Sequence, residues 1–212
     1  MRRLSLLLLP LLAATSIASA GTPVPAAGEL TLAPPIALAP LAASRALASF
    51  GAEQRDKAML LLSGYHGIGS KDDFEAALAE PEALLASIAR DATVDPVHRD
   101  RALAALVYWP GEQTLSLYGK LLAADDTSEM NRHRIIGYLA IGYADRSIPW
   151  VEHYLTVSDL QFRLTAIEAL RTIGSDHARD LLTQAEVVEL SPLVLERIKV
   201  ARASILAGPK PR

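Results

Sequence analysis

The chain has no cysteine, few aromatic residues (5%) and almost balanced charge, 21 Lys+Arg against 24 Asp+Glu over 212 residues. Without cysteine there is no disulfide framework, no thiolate zinc site, no thiol nucleophile and no cysteine lipidation. The slight net negative charge, −3, argues against a nucleic-acid partner, which calls for a strongly basic surface. No stretch approaches the roughly 20 consecutive apolar residues that a membrane span needs. What the chain does have is a half-apolar composition (50%), enough for a core and too much for a disordered chain.

Residues 1–20 read as a secretory signal. Met1-Arg2-Arg3 is a basic start, Leu6 to Leu12 is apolar apart from Pro10, and Ala18-Ser19-Ala20 has the small–x–small form that precedes cleavage, here before Gly21. Removing the two arginines leaves a net charge of −5. Periplasmic or secreted location follows from this reading. Residues 21–44 carry Pro23, Pro25, Pro34, Pro35 and Pro40 and read as a semi-extended linker. Its Leu30, Leu32, Ile36 and Leu38 leave open whether it lies against the folded body.

From residue 45 to 207 the apolar residues recur at three- and four-residue spacing, with no alternating strand pattern. Breakers such as Pro81, Pro96, Pro110-Gly111, Pro149 and Ser191-Pro192 punctuate them as helix ends. A repeat emerges. Arg99, Arg132 and Arg163 are each followed by apolar residues three, four, six and seven positions on, with weaker copies at Arg55 and Arg197. Between copies lies a second amphipathic segment: Leu115, Tyr118, Leu122; then Ile148, Val151, Leu155; then Ala178, Leu181, Ala185. The unit is a helix pair of 30 to 40 residues, which buries its apolar face only by stacking on its neighbours. The longer interval before Arg99, interrupted by Pro81, has room for an extra turn or helix, and residues 208–212 form a short tail.

These copies resemble HEAT-type repeats, in particular the short bacterial kind also seen in accessory proteins of bilin attachment. Asp159, Arg163, Ala166, Ala169, Leu170, Gly174 and Asp176 match that pattern best, followed by Asp126, Arg132, Leu139, Gly142 and Asp145, and by Asp95-Pro96, Arg99, Ala102 and Leu106. The resemblance implies an all-α, right-handed solenoid of about four to five helix pairs. It also implies a structural ladder between the turn acids Asp95, Asp126 and Asp159 and the helix arginines Arg99, Arg132 and Arg163. Such solenoids serve many roles, so the resemblance speaks to architecture and says little about function.

Catalytic motifs fail on inspection. Gly64 to Lys71 echoes a phosphate loop with Ser and Lys in the wrong order, and His98-Arg99-Asp100 lacks every other kinase signature. The five histidines show no i, i+4 pair and no HExxH, so neither a metal nor a cofactor is expected. What remains is surface. Two places after each repeat arginine stand Lys57, Arg101, Arg134, Thr165 and Lys199, a basic column expected to face solvent, with Tyr108 and Trp109 as aromatic anchors beside it. The expectation is a non-enzymatic scaffold that holds a protein partner, or an acidic or extended segment of one, in the cell envelope. Two alternatives stand beside it: a small-ligand or enzyme-accessory site between helices around His66, Lys71 and Asp73, and an anionic wall-polymer surface on the basic column.

Overall fold

The structure is a computed structural model that describes residues 46–64 and 67–208; the signal, the linker and His66 lie outside the described residues. Among the described residues there is no strand. A helical turn at 46–48 precedes ten α-helices: α1 (Ala52–Leu62), α2 (Lys71–Ala77), α3 (Pro81–Arg90), α4 (Pro96–Ala105), α5 (Glu112–Ala123), α6 (Glu129–Tyr143), α7 (Ile148–His153), α8 (Leu160–Ile173), α9 (Asp176–Val188) and α10 (Pro192–Ala207). None is long and apolar enough to cross a membrane.

Local chemistry sets these boundaries. Asp95 accepts from Val97 N at 2.9 Å and is followed by Pro96, which has no N–H to lose at the first helical position. Asp159 accepts from Gln161 N and Phe162 N at 2.7 and 3.1 Å to open α8. Gly174 closes α8 in the left-handed conformation, φ 70°, where a side chain would be strained, and Ser175 at once caps α9. The interval before α4 contains two helices, α2 and α3, with Pro81 opening the second.

Packing is sequential. In the pairs α3/α4, α5/α6, α7/α8 and α9/α10 the two helices lie against each other, and the second helices then contact in order: α1 on α4, α4 on α6, α6 on α8, α8 on α10. The core sits between the two layers. Its repeated positions are Ala102, Leu103, Ala105 and Leu106, then Ile135, Ile136 and Leu139, then Ala166, Ile167, Ala169 and Leu170, all buried. The first helices answer with Leu115, Tyr118 and Leu122, with Ile148, Val151 and Leu155, and with Ala178 and Leu181. The period also appears in the polar contacts: seven side-chain hydrogen bonds among the described residues join partners 32 to 35 residues apart. Tyr143, for example, donates to Gly111 O at 2.9 Å.

The last copy departs from the expected register. In α10 the buried residues are Val194, Ile198 and Ala201, while Arg197 and Val200 are exposed. Leu195, two places earlier than Arg197, therefore occupies the position of the repeat arginine. Among the described residues α10 packs on α8 and α9 and buries Val194, Ile198 and Ala201 against them.

Candidate functional site

The outward face of the second helices is where the sequence placed a basic column, and the structure puts most of those residues to internal use. Arg101 is half-buried and donates to the Leu62 carbonyl at 2.6 Å, tying α4 to the end of α1. Arg134 donates to Asp100 at 2.5 Å, tying α6 to α4. Thr165 Oγ1 lies 2.8 Å from His133 Nδ1, tying α8 to α6. Lys57 pairs with Glu53 one turn away at 2.7 Å. Arg101, Arg134 and Thr165 therefore stitch neighbouring helices together, and two of the column's cations, Lys57 and Arg134, are matched by carboxylates. Because of the register shift, Arg197 replaces Lys199 as the final member; Lys199 is exposed and lies outside the column.

The aspartate–arginine ladder is likewise built differently. None of Asp95, Asp126 and Asp159 comes within 4.0 Å of Arg99, Arg132 or Arg163; Asp95 and Asp159 cap their own helices, and Asp126 is exposed while Ser128 caps α6. Arg132 donates to Ala124 O at 2.8 Å, and Arg163 to Val157 O and Ser158 O at 2.9 and 2.8 Å, so these arginines close the preceding loops. Of these three arginines, Arg163 has a carboxylate partner among the described residues, Glu189, with Oε2 at 3.0 Å from Arg163 Nε. Glu189 Oε1 accepts from Leu190 N and Ser191 N at 3.0 and 2.8 Å, while the Ser191 hydroxyl at the N-cap of α10 makes no capping bond.

Beside the column the face is unexpectedly apolar. Positions two before, five after and nine after the repeat arginine fall within 40° of one another on a helix, because 7 and 11 residues are close to two and three whole turns. Two before stand Glu53, Val97, Met130, Gln161 and Leu193; five after stand Leu60, Ala104, Gly137, Glu168 and Val200; nine after stand Gly64, Tyr108, Ile141, Thr172 and Ser204, so the apolar members lie on α1, α4, α6 and α10 while the α8 copy is polar. Among the described residues, six of the ten large exposed apolar side chains lie in these positions: Leu60, Val97, Met130, Ile141, Leu193 and Val200, between 49% and 75% exposed. Sequence reasoning assigned apolar residues to the core and passed over them. Their signal was present as apolar residues seven and eleven apart, out of phase with the buried set.

Between α6 and α8 this face sinks into an open furrow of about 500 Å³, bounded by Gly137, Ile141, Leu164, Thr165, Glu168 and Arg197. The Glu168 carboxylate is held below its usual range, mainly by its hydrogen bonds from Arg171, at 2.9 and 3.0 Å to Nε, against a smaller opposing effect of burial. A second open groove, of about 460 Å³, lies among α2, α3 and the start of α5, lined by Glu75, Glu80, Glu82 and Trp109. Trp109 donates to Glu75 at 3.2 Å and meets Phe74 edge-on, so it is turned toward α2 rather than the basic column. Tyr108, on the 3-10 turn Leu106–Tyr108, is partly buried.

The remaining candidates are not assembled into a site. Lys71 pairs with Glu75 at 3.6 Å, and Asp73 forms a reciprocal cap with Ser70, whose hydroxyl and backbone hydrogen bonds hold its carboxylate low. Among the described residues no group of three or more His, Asp or Glu could hold a metal ion. The raised phenols, Tyr118 and Tyr143, owe their shifts first to burial, and each donates to a backbone carbonyl. No protein-family model matches this chain, and no curated protein or solved structure does either.

Proposed function

We propose that the protein is an exported, non-enzymatic α-solenoid of the HEAT-like kind, wound right-handed as the resemblance implies, and that it acts as a protein–protein interaction scaffold in the cell envelope. The observation that carries this reading is the gathering of exposed apolar side chains, Leu60, Val97, Met130, Ile141, Leu193 and Val200, on one face of the second helices. Scattered singly they would call for no explanation, but gathered beside arginines they have the composition of an interface. The pairing of Lys57 and Arg134 with carboxylates weighs against a purely electrostatic polymer surface. The N-terminal signal assigns the protein outside the cytoplasm, and processing before Gly21 is read directly by N-terminal sequencing of the exported chain.

The test is affinity capture from envelope extract with wild type beside Val97→Glu/Met130→Glu. Both residues are exposed, so the double variant should keep its helical circular dichroism and melting temperature while losing a defined partner. Equal recovery by both proteins removes this face as the binding surface. Arg101 and Arg134 are poor choices for that purpose, since their replacement breaks contacts between helices.

A further inference from the structure

Gly137 stands in the interior of α6, where glycine weakens a helix relative to alanine. Two other glycines have a reason within this chain. A Cβ on Gly119 would lie 2.9 Å from Trp150 Nε1, and Gly174 needs its positive φ. A Cβ on Gly137 would meet nothing within 4 Å, so packing inside this chain does not call for the missing side chain. Its effect is external: it lowers the wall of the furrow between α6 and α8 so that another backbone can come close.

The furrow has a definite shape and charge. Ile141 and Leu164 make apolar walls, and the α8 residues from Leu164 to Thr172 run about 12 Å along it, roughly two helical turns. Glu168 is committed to Arg171. Arg197, exposed at the far rim, has no carboxylate within 4.0 Å among the described residues and acts on Glu168 only at longer range, so with Arg171 two guanidiniums face one carboxylate and a net positive charge remains at that end. The occupant is constrained further by the backbone. The peptide groups of α6 and α8 are bonded within their own helices, so an extended strand would find no ladder to join, whereas a helix arrives with its own groups already paired.

We infer that this furrow receives an amphipathic helical segment of a partner protein. One apolar side chain of that segment sits over Gly137 between Ile141 and Leu164, its neighbour one turn on packs along α8, and a carboxylate reaches Arg197. This inference rests on the scaffold reading and narrows it to one site and one class of partner.

The probe is a displayed library of random 14-residue peptides selected on the full chain. Recovered peptides should carry apolar residues at i, i+3 or i+4 spacing with Asp or Glu beside them, and should bind more weakly as salt rises. Gly137→Trp should weaken them at least tenfold and Arg197→Glu about threefold, with melting temperature unchanged by Arg197→Glu. Should Gly137→Trp disturb the fold, Ile141→Glu at an exposed position serves in its place. Selected peptides that bind Gly137→Trp and Ile141→Glu as well as wild type overturn the inference, as does a selection that returns no binder. Self-association of wild type that Gly137→Trp abolishes would make the occupant a second copy and overturn it too. Capture lost in Val97→Glu/Met130→Glu but kept in Gly137→Trp would leave the scaffold reading standing and sink the helix-binding furrow alone.

Discussion

The Glu189 carboxylate should be worth more to stability than any other single acid on the described surface, and Glu189→Ala tests this. Its side chain is 11% exposed and that of Arg163 is 17% exposed, so both charges are largely withdrawn from water. Two losses follow the substitution. The N–H groups of Leu190 and Ser191, at the entry to α10, lose their acceptor, and a lost cap costs about 1 kcal/mol. Arg163 keeps its bonds to Val157 O and Ser158 O but loses the one carboxylate close to it among the described residues. Breaking a fully buried pair costs about 3–5 kcal/mol; the two remaining carbonyls and the residual exposure reduce that to about 2 kcal/mol. The sum is about 3 kcal/mol, or a fall of roughly 6–12 °C in melting temperature for a domain of this size. Urea denaturation followed by circular dichroism reads it, with an unchanged slope required. Glu189→Gln, which keeps an acceptor for the two N–H groups and removes only the charge, should cost about 2 kcal/mol on the same reasoning. With Arg163→Met as the second arm, the double-mutant cycle should return a coupling of about 1–2 kcal/mol. A coupling below about 0.3 kcal/mol, within the error of additivity, would refute the claim that this pair joins the last two repeats.

Further outcomes follow from the same structure. Gly137→Ala should stabilise the protein by about 0.5–1 kcal/mol, since the added methyl group meets open space and the helix gains propensity; a shift of the urea midpoint to lower concentration would contradict this. Burial raises the phenol of Tyr143 to about 12 and that of Tyr118 further. The stability this confers is complete below the ordinary phenol range and is lost as pH rises through the folded values. Absorbance at 295 nm should therefore show these two tyrosines ionising only as the helical signal collapses. Arg171→Ala should raise the titration midpoint of Glu168 toward its ordinary value, as read by NMR, because the hydrogen bond from Arg171 is the main cause of its depression.

Much of the fold was legible because its determinants are local. Asp95-Pro96, Asp159 and Ser175 announce helix starts by chemistry contained within four residues, and the core positions after Arg99, Arg132 and Arg163 repeat on a helical period. The misreadings concern what one helix alone cannot show. Arg101 and Arg134 looked free because their partners, Leu62 O and Asp100, lie 39 and 34 residues away. The register of α10, with Val194, Ile198 and Ala201 buried and Arg197 exposed, is set by packing on α8 and α9 and so lies beyond a pattern read along one helix. The aspartates of the resemblance were assigned to a ladder, whereas Asp95 and Asp159 cap their own helices and Arg163 pairs with Glu189, an unremarked acid one residue after α9. The apolar outer face was hidden by the habit of reading every apolar residue as core.

The sequential stacking has a consequence for how the chain reaches this state. Contacts between successive pairs join residues about 33 apart, as in Thr114 to Glu82 and His133 to Thr165, so little of the order depends on the two ends meeting. Topologies of that kind search short loops and fold fast. A chain emerging N-terminus first can lay each pair on the one before as soon as it is complete, with no cysteine pairing to await. A chain cut at Gly174 would keep the layers up to α8 and display one raw edge, the surface on which α9 and α10 now rest.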